Sequence, residues 1–280
     1  MLVPSTDGVR IAVHDLGGTG SALLVSHATG FHGRCYRPLA DALATTVHSV
    51  AFDYRGHGDT SLAPGPIDWQ RYGDDAEAMA TWLAERTGGP IDAFGHSMGG
   101  ACLLMAAHRN PTLFRRIIAF EPIVFPPNID DGGAEGAESP MVIGARRRRA
   151  TFPSFDAAVA NYAGKPPLNA FTPEALDAYV RHGFAAGADG AVHLKCEPAT
   201  EAGTFAAGGL HDTWAHLPEI ATEVLVVAGR IEPMQPSRFA EQVAQRLPHG
   251  RWLQSNELDH FGPMTHPIEI AAIVRAELTR

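Results

Sequence analysis

Ser97 stands in the run Gly95-His96-Ser97-Met98-Gly99-Gly100, directly behind the apolar stretch Ile91-Asp92-Ala93-Phe94. A serine hydroxyl is a weak nucleophile until geometry and a base activate it. Glycines at 95 and 99 let the chain turn sharply from a strand into a helix, leaving the hydroxyl at a strained tip. This is the G-x-S-x-G pattern in the setting its chemistry needs. The plain alternative is a glycine-rich turn that happens to hold a serine, and the rest of the chain decides between them.

A base is the first partner required. The chain has 14 histidines, so a histidine alone means little. His260 is singled out by its loop, Leu258-Asp259-His260-Phe261-Gly262-Pro263, which lies between the last predicted strand and the last predicted helix. In a parallel sheet that loop opens at the carboxyl ends of the strands, the same edge as the Ser97 turn. His266, just before a helix-starting proline, is the rival.

The base needs a carboxylate to fix its tautomer and to stabilise the imidazolium. Glu232 follows the strand Val224–Ala228 and Glu121 follows Phe120. Each precedes a proline that ends its strand, and each would emerge at the same edge. Glu232 is the preferred acid and Glu121 the alternative, while the plain reading of either is an exposed loop carboxylate. Donors for a developing oxyanion come next. The Met98 N–H stands at a helix start, where such groups lack an intrahelical partner. The loop Ser26-His27-Ala28-Thr29-Gly30-Phe31-His32-Gly33 offers a second, the Thr29 N–H, with Gly30 next in line. No metal-ligand set surrounds His27 and His32, so neither a metal nor another cofactor is expected, and His27 reads as structural support.

Elements that could position these groups follow from periodicity. Val9–Val13 alternates as a half-exposed strand does, and Ala22–Val25, Val47–Phe52, Ile91–Phe94, Arg116–Phe120 and Val224–Ala228 read as buried strands. Helices are predicted over Asp74–Thr87, Ala101–His108, Ser237–Leu247 and Pro267–Leu278, with a short strand near Trp252-Leu253. Strands alternating with helices give an α/β class with a mainly parallel sheet. Residues 125–215 differ: they hold Pro126-Pro127, Asp130-Asp131-Gly132-Gly133 and Pro166-Pro167, no convincing strand, and helical stretches at Phe155–Tyr162, Pro173–Phe184 and Pro198–Ala207. The economical division is a core of 1–124 and 216–280 with a helical cap, 125–215, inserted above the sheet, where insertions shape binding sites.

Together these parts resemble the α/β-hydrolase superfamily over nearly the whole chain. The motifs that carry the resemblance are the histidine loop at 27–33, Asp53-Tyr54-Arg55-Gly56-His57-Gly58-Asp59-Thr60-Ser61, the elbow at 95–100, Gly229 to Pro236, and Asp259-His260-Phe261-Gly262. The order nucleophile, acid, histidine is that of the superfamily. The resemblance implies that Arg55 and His57 brace the elbow. This chain departs from the usual pattern in reading His27-Ala28 where relatives read His-Gly, and in offering Glu232 where aspartate is usual. Some relatives carry the acid after the sixth strand, where Glu121 stands.

Fold alone does not choose a reaction. Serine at 97, where dehalogenase and epoxide hydrolase relatives carry aspartate, suits acyl transfer: attack, acyl-enzyme, then hydrolysis by a water that His260 activates. Hydrolysis of a small-molecule carboxylic ester or lactone is the expectation. The alternatives are a C–C bond hydrolase, a serine aminopeptidase with Glu174, Glu197 or Glu201 holding the substrate amine, and an inactive binding protein on the same fold. Arg146-Arg147-Arg148-Arg149 reads as a solvated helix face, of which one member could meet an acidic substrate group. The cap aromatics Phe152, Phe155, Tyr162, Phe171, Tyr179, Phe184, Phe205 and Trp214 suit a pocket or the packing of a small helical layer.

Bulk properties agree. The 280 residues are 45% hydrophobic and 19% charged, with a formal net charge of -9, which argues against nucleic-acid binding. Three cysteines are too few for a disulfide framework, so a reducing cytoplasm is expected. No signal peptide and no apolar run of the roughly 20 residues needed to cross a membrane is apparent. Self-association into a homo-oligomer is left open.

Overall fold

The computed structural model describes residues 1–127, 138–233 and 235–280. The Asp130-Asp131-Gly132-Gly133 stretch of the sequence reading falls outside them. In chain order the core begins with strands β1 (Leu2–Pro4), β2 (Arg10–Gly18) and β3 (Ser21–Ser26), helix α1 (Arg37–Leu43) and strand β4 (Val47–Phe52). It continues with α2 (Trp69–Thr87), β5 (Ile91–His96), α3 (Met98–Arg109) and β6 (Phe114–Phe120). These strands and two later ones, β10 (Glu223–Ala228) and β11 (Gly250–Gln254), make one sheet in the order β1-β2-β4-β3-β5-β6-β10-β11. β1 and β2 pair antiparallel, as do β2 and β4, and the pairings from β4 to β11 are parallel. The protein is an α/β fold with a mainly parallel sheet.

The continuous apolar runs are explained by a sheet covered on both faces. Leu24, Val50, Val224 and Val226 pack with α2 and α3, whereas Leu23, Val25, Leu225 and Val227 pack with α1 and the last helix, Pro267–Leu278. The chain passes from β3 to β4 on one side and from β5 to β6 on the other, so the loops after the adjacent strands β3 and β5 part at their carboxyl ends, the topological switch point of the sheet. Helix α2 starts ahead of the predicted Asp74: the Asp68 side chain accepts the Gln70 N–H and caps a helix running from Trp69 to a left-handed Gly88.

Between β6 and β10 the described chain is mainly helical, with α4 (Pro140–Arg146), α5 (Phe155–Ala163), α6 (Pro173–Gly183), α7 (Pro198–Ala207) and α8 (Thr213–His216). It also holds a small antiparallel sheet of β7 (Thr151–Phe152), β8 (Phe184–Ala186) and β9 (Val192–Leu194), ordered β7-β9-β8. No strand is predicted here from the sequence, because runs of two or three residues carry no period of their own. This segment is tied to the core: the Trp69 indole N–H donates to the Thr204 carbonyl at 2.9 Å, and Lys195 pairs with Asp59 at 2.5 Å. Helices α9 (Ala240–Arg246), α10 (Gly262–Thr265) and α11 (Pro267–Leu278) complete the chain. No helix among the described residues is long and apolar enough to cross a membrane.

Candidate active site

Ser97 lies between β5 and α3 at φ 56 and ψ -116. A non-glycine residue there stores on the order of 1–3 kcal/mol of backbone strain, which persists only where the surroundings over-determine it. Here they do. The Ser97 N–H donates to the Phe120 carbonyl at 2.9 Å, and its carbonyl accepts the Ala101 and Ile123 N–H groups, each at 3.2 Å. The flanking glycines are sterically required: a Cβ at Gly95 would lie 2.7 Å from Gly100 Cα, and one at Gly99 would overlap the Ser26 carbonyl.

The described chain has two other non-glycine residues at positive φ, Asp7 and Glu121 (φ 44). Glu121 is fully buried at the end of β6, the strand beside β5. Its N–H donates to the Val227 carbonyl at 2.9 Å, which turns its side chain back into the protein. Oε1 accepts the Gly229 N–H at 2.8 Å, and Oε2 lies 2.6 Å from His260 Nδ1. Glu232, the preferred acid of the sequence reading, is elsewhere. Its side chain is 43% exposed and its carboxylate pairs with Arg230 at 3.2 Å. The structure thus joins His260 to Glu121 and leaves Glu232 on a surface turn. His266 Nδ1 meets the Thr265 hydroxyl at 2.8 Å, ahead of α11.

The His260 loop is fixed by a group the sequence reading passed over. His96, next to Ser97, has Nε2 2.8 Å from the His260 carbonyl, and its Nδ1 is 2.8 Å from the Tyr36 hydroxyl. A carbonyl only accepts, so Nε2 carries the proton and Nδ1 accepts from Tyr36. The Tyr36 oxygen in turn accepts the Ala28 N–H at 3.1 Å. Burial holds the His96 ring well below its ordinary pKa, hence neutral as this chain of bonds demands. The loop after β3 and the loop carrying His260 are therefore linked through the residue that precedes Ser97.

Met98 opens α3 and is fully buried, and the Thr29 hydroxyl contacts its sulfur at 3.5 Å, so the two candidate oxyanion residues are neighbours. His27 uses both ring nitrogens on backbone, Nδ1 donating to the Ala28 carbonyl at 2.8 Å and Nε2 accepting the Tyr54 N–H at 3.0 Å. Neither nitrogen is left for a metal. Arg55 grips Asp75 of α2 through Nε at 2.9 Å and Nη2 at 2.7 Å, bracing the neighbouring helix rather than the elbow itself.

The four arginines separate. Arg146 pairs with Glu138 in solvent and Arg149 lies over the Phe152 ring. Arg148 is the inward one: its side chain is 14% exposed, pairs with Glu201 at 2.8 Å, and also contacts the Tyr162 and Tyr179 hydroxyls. Burial alone would lower the guanidinium pKa, but Glu201 and Tyr162 together hold it above its ordinary value, so it stays charged. Glu201 packs on the loop after β3 so closely that a Cβ at Gly30 would overlap its Oε1. The Tyr179 ring is 5.2 Å from Phe31, and Phe31 lies 6.3 Å from Phe261, the neighbour of His260. A largely buried cation thus stands one side-chain layer from the Thr29 loop and two from the His260 loop. Glu174 and Glu197 are exposed.

Comparison with known proteins places the chain. A family model described as the alpha/beta hydrolase family matches residues 22–273. The chain is 27% identical over 150 residues to the 2-(acetamidomethylene)succinate hydrolase of Mesorhizobium japonicum, covering 54% of this chain and 50% of that protein, so the match spans about half of that relative's length. It is 20% identical over 264 residues to the (E)-2-((N-methylformamido)methylene)succinate hydrolase of Acinetobacter baylyi, covering 93% of this chain and 91% of that one. The crystal structure of E-2-(acetamidomethylene)succinate hydrolase superposes with a TM-score of 0.80 at 21% identity, covering 100% of this chain and 99% of that one.

Proposed function

The chain belongs to the alpha/beta hydrolase family, and we propose that within it the protein is a serine hydrolase of small-molecule carboxylic esters or lactones. Ser97 is the nucleophile, His260 the base and Glu121 the acid. The observation that carries this reading is the 2.6 Å contact between His260 Nδ1 and Glu121 Oε2, at the end of the strand beside the strained Ser97 turn. In the proposed reaction the Ser97 oxygen attacks the carbonyl carbon while its proton passes to His260 Nε2. His260 then protonates the departing alkoxide, leaving an acyl-enzyme. A water attacks that ester, again giving its proton to His260, and the Ser97 oxygen leaves with it. Glu121 keeps a proton on Nδ1 and stabilises the imidazolium, and the Met98 and Thr29 N–H groups receive the oxyanion.

We assign residues 1–124 and 216–280 to the catalytic core and 125–215 to a cap that supplies Arg148, Tyr162 and Tyr179. Arg148 supports a narrower reading, a substrate that carries a free carboxylate besides the scissile bond, since a guanidinium fork matches a carboxylate. The names of the two matched hydrolases point the same way, because a succinate is a dicarboxylate. We place the enzyme in the reducing cytoplasm, in keeping with three free, buried cysteines.

The test is labelling with an active-site-directed fluorophosphonate, with turnover on esters, lactones and amides, each with and without a free carboxylate. Wild type should label and turn over, and Ser97→Ala should do neither. A folded wild type that neither labels nor turns over any member of the panel overturns the reading in favour of an inactive binding protein.

A further inference from the structure

At the end of α3 opposite to Ser97, about 16 Å away along a helix rising 1.5 Å per residue, His108 meets residues of the segment that returns to β10. His108 Nε2 lies 2.9 Å from Glu219 Oε2, and His216 Nδ1 lies 3.3 Å from Glu219 Oε1. The His108 and His216 rings stack with centroids 4.2 Å apart. We propose that His108, His216 and Glu219 form a binding site for a borderline divalent transition-metal ion such as zinc. This goes beyond the hydrolase reading and stands without it.

Three features carry the proposal. The three ligand atoms lie within 4.8 Å of one another, and tetrahedral zinc with bonds near 2.1 Å sets its ligands about 3.4 Å apart. To close on an ion the two rings, stacked 22° from parallel, must tilt apart until their in-plane lone pairs converge, a movement open to partly exposed side chains. The second feature is the Asp212 carboxylate, 3.4 Å from the other nitrogen of His216. A carboxylate behind a histidine fixes its tautomer and aims the remaining lone pair at the metal. Asp212 is itself held by the Gln70 side chain at 3.0 Å.

Charge is the third feature: Glu219 and Asp212 bring two carboxylates to the pair of rings, and a divalent ion bound there would balance both. The groups are partly exposed, so an ion can enter from solvent, and a cavity of about 20 Å³ beside the two rings has room for a bound water. Arg109, which also borders the cavity, is already engaged by Asp74 at 2.7 Å.

The other grouping of this kind among the described residues, His14, Asp53 and Asp59, lacks these features. Asp53 is saturated by His14 and by the Gly33 and Asp59 N–H groups, and Asp59 is held by Lys195. An ion there would have to displace backbone N–H groups and a lysine, whereas at the first site only the contacts among the three ligands themselves give way.

The test titrates tag-free, chelator-treated full-length protein with zinc chloride at pH 7.5 by calorimetry, with circular dichroism to check each fold. Wild type should bind one ion per chain. Glu219→Gln, a surface change that spares the fold, and His216→Ala should each weaken binding at least tenfold, and Asp212→Asn about 10- to 100-fold, as a group orienting a ligand does. His249→Ala, an exposed histidine elsewhere, should leave it unchanged. No zinc bound by wild type, or equal affinity in wild type and Glu219→Gln, overturns the site.

Discussion

Glu121 and His260, 139 residues apart in sequence, meet at 2.6 Å because the turn after β6 is bent back into the protein. The carboxylate cannot swing away, since its second oxygen is held by the Gly229 N–H, at the end of the next strand, β10. One buried side chain thus ties together the ends of two adjacent strands and the histidine loop.

This arrangement predicts which carboxylate matters. Glu121→Gln should lower kcat on a short-chain ester by up to about 10⁴, because an amide cannot stabilise the imidazolium and favours the wrong tautomer. Glu232→Gln removes a half-exposed pair with Arg230 and should leave kcat within about threefold, as surface pairs contribute on the order of 1 kcal/mol or less. Steady-state kinetics of the two variants side by side is the measurement, and a larger loss from Glu232→Gln would reverse the assignment.

Tyr36 is predicted to be a positioning residue. Tyr36→Phe leaves the Ala28 N–H and His96 Nδ1 without their shared partner, which costs about 1–3 kcal/mol of stability for buried groups. It also loosens the link between the two loops that flank Ser97, and a misplacement of that kind costs up to about 100-fold in rate. The expected signature is a fall in kcat of about 10- to 100-fold with little change in KM. A variant that is less stable yet keeps its kcat would reduce Tyr36 to packing.

What the sequence revealed was local. The Ser97 elbow and the His260 loop are written in neighbouring residues, and the paired predictions of strand and helix follow from periodicity. The choice between Glu121 and Glu232 is not local. Both follow a strand and precede a proline, and only the order β5-β6-β10 sets Glu121 beside the strand that leads into Ser97. The positive φ at Glu121 has no sequence signature, because glutamate rarely adopts it. Arg148 was hidden in a run of four arginines whose ordinary meaning is a solvated face, and its inward direction depends on packing between α6, α7 and the turn after α4. The true start of α2 is also marked locally, since Asp68 is an ordinary N-cap, but Gly73 interrupts the helical pattern just ahead of the predicted Asp74.

Acid should unfold the protein early. Burial pushes His27 and His32 down to about 3 from an ordinary 6.5, so both are neutral in the fold and take up protons readily when it opens. The unfolded chain binds more protons below pH 6.5. The stability these residues allow is therefore complete above that pH and is lost as pH falls from 6.5 toward 3. At pH 5.5 each contributes a loss of about 1.4 kcal/mol. Urea unfolding at pH 7.5 and 5.5 should show a drop of at least about twice that, since burial lowers His96 and His211 in the same direction, and equal stability at the two values would refute it.

Arg148 gives the sharpest test of substrate class, provided its partner is treated with it. Arg148→Met alone strands the buried Glu201 carboxylate, so a loss of activity would report on folding as much as on binding. The double variant Arg148→Met/Glu201→Gln removes both charges and keeps the cap neutral. A charge-assisted bond contributes about 1.5–3 kcal/mol, so kcat/KM for a carboxylate-bearing ester should fall about 10- to 150-fold relative to its neutral methyl-ester counterpart. Arg148→Lys should recover little of this, because an ammonium lacks the planar fork that meets Glu201 and the two tyrosines together. Equal losses on the charged and neutral esters would mean that the guanidinium only holds the cap in place, with the carboxylate specificity removed from the proposal and the Ser97 chemistry untouched.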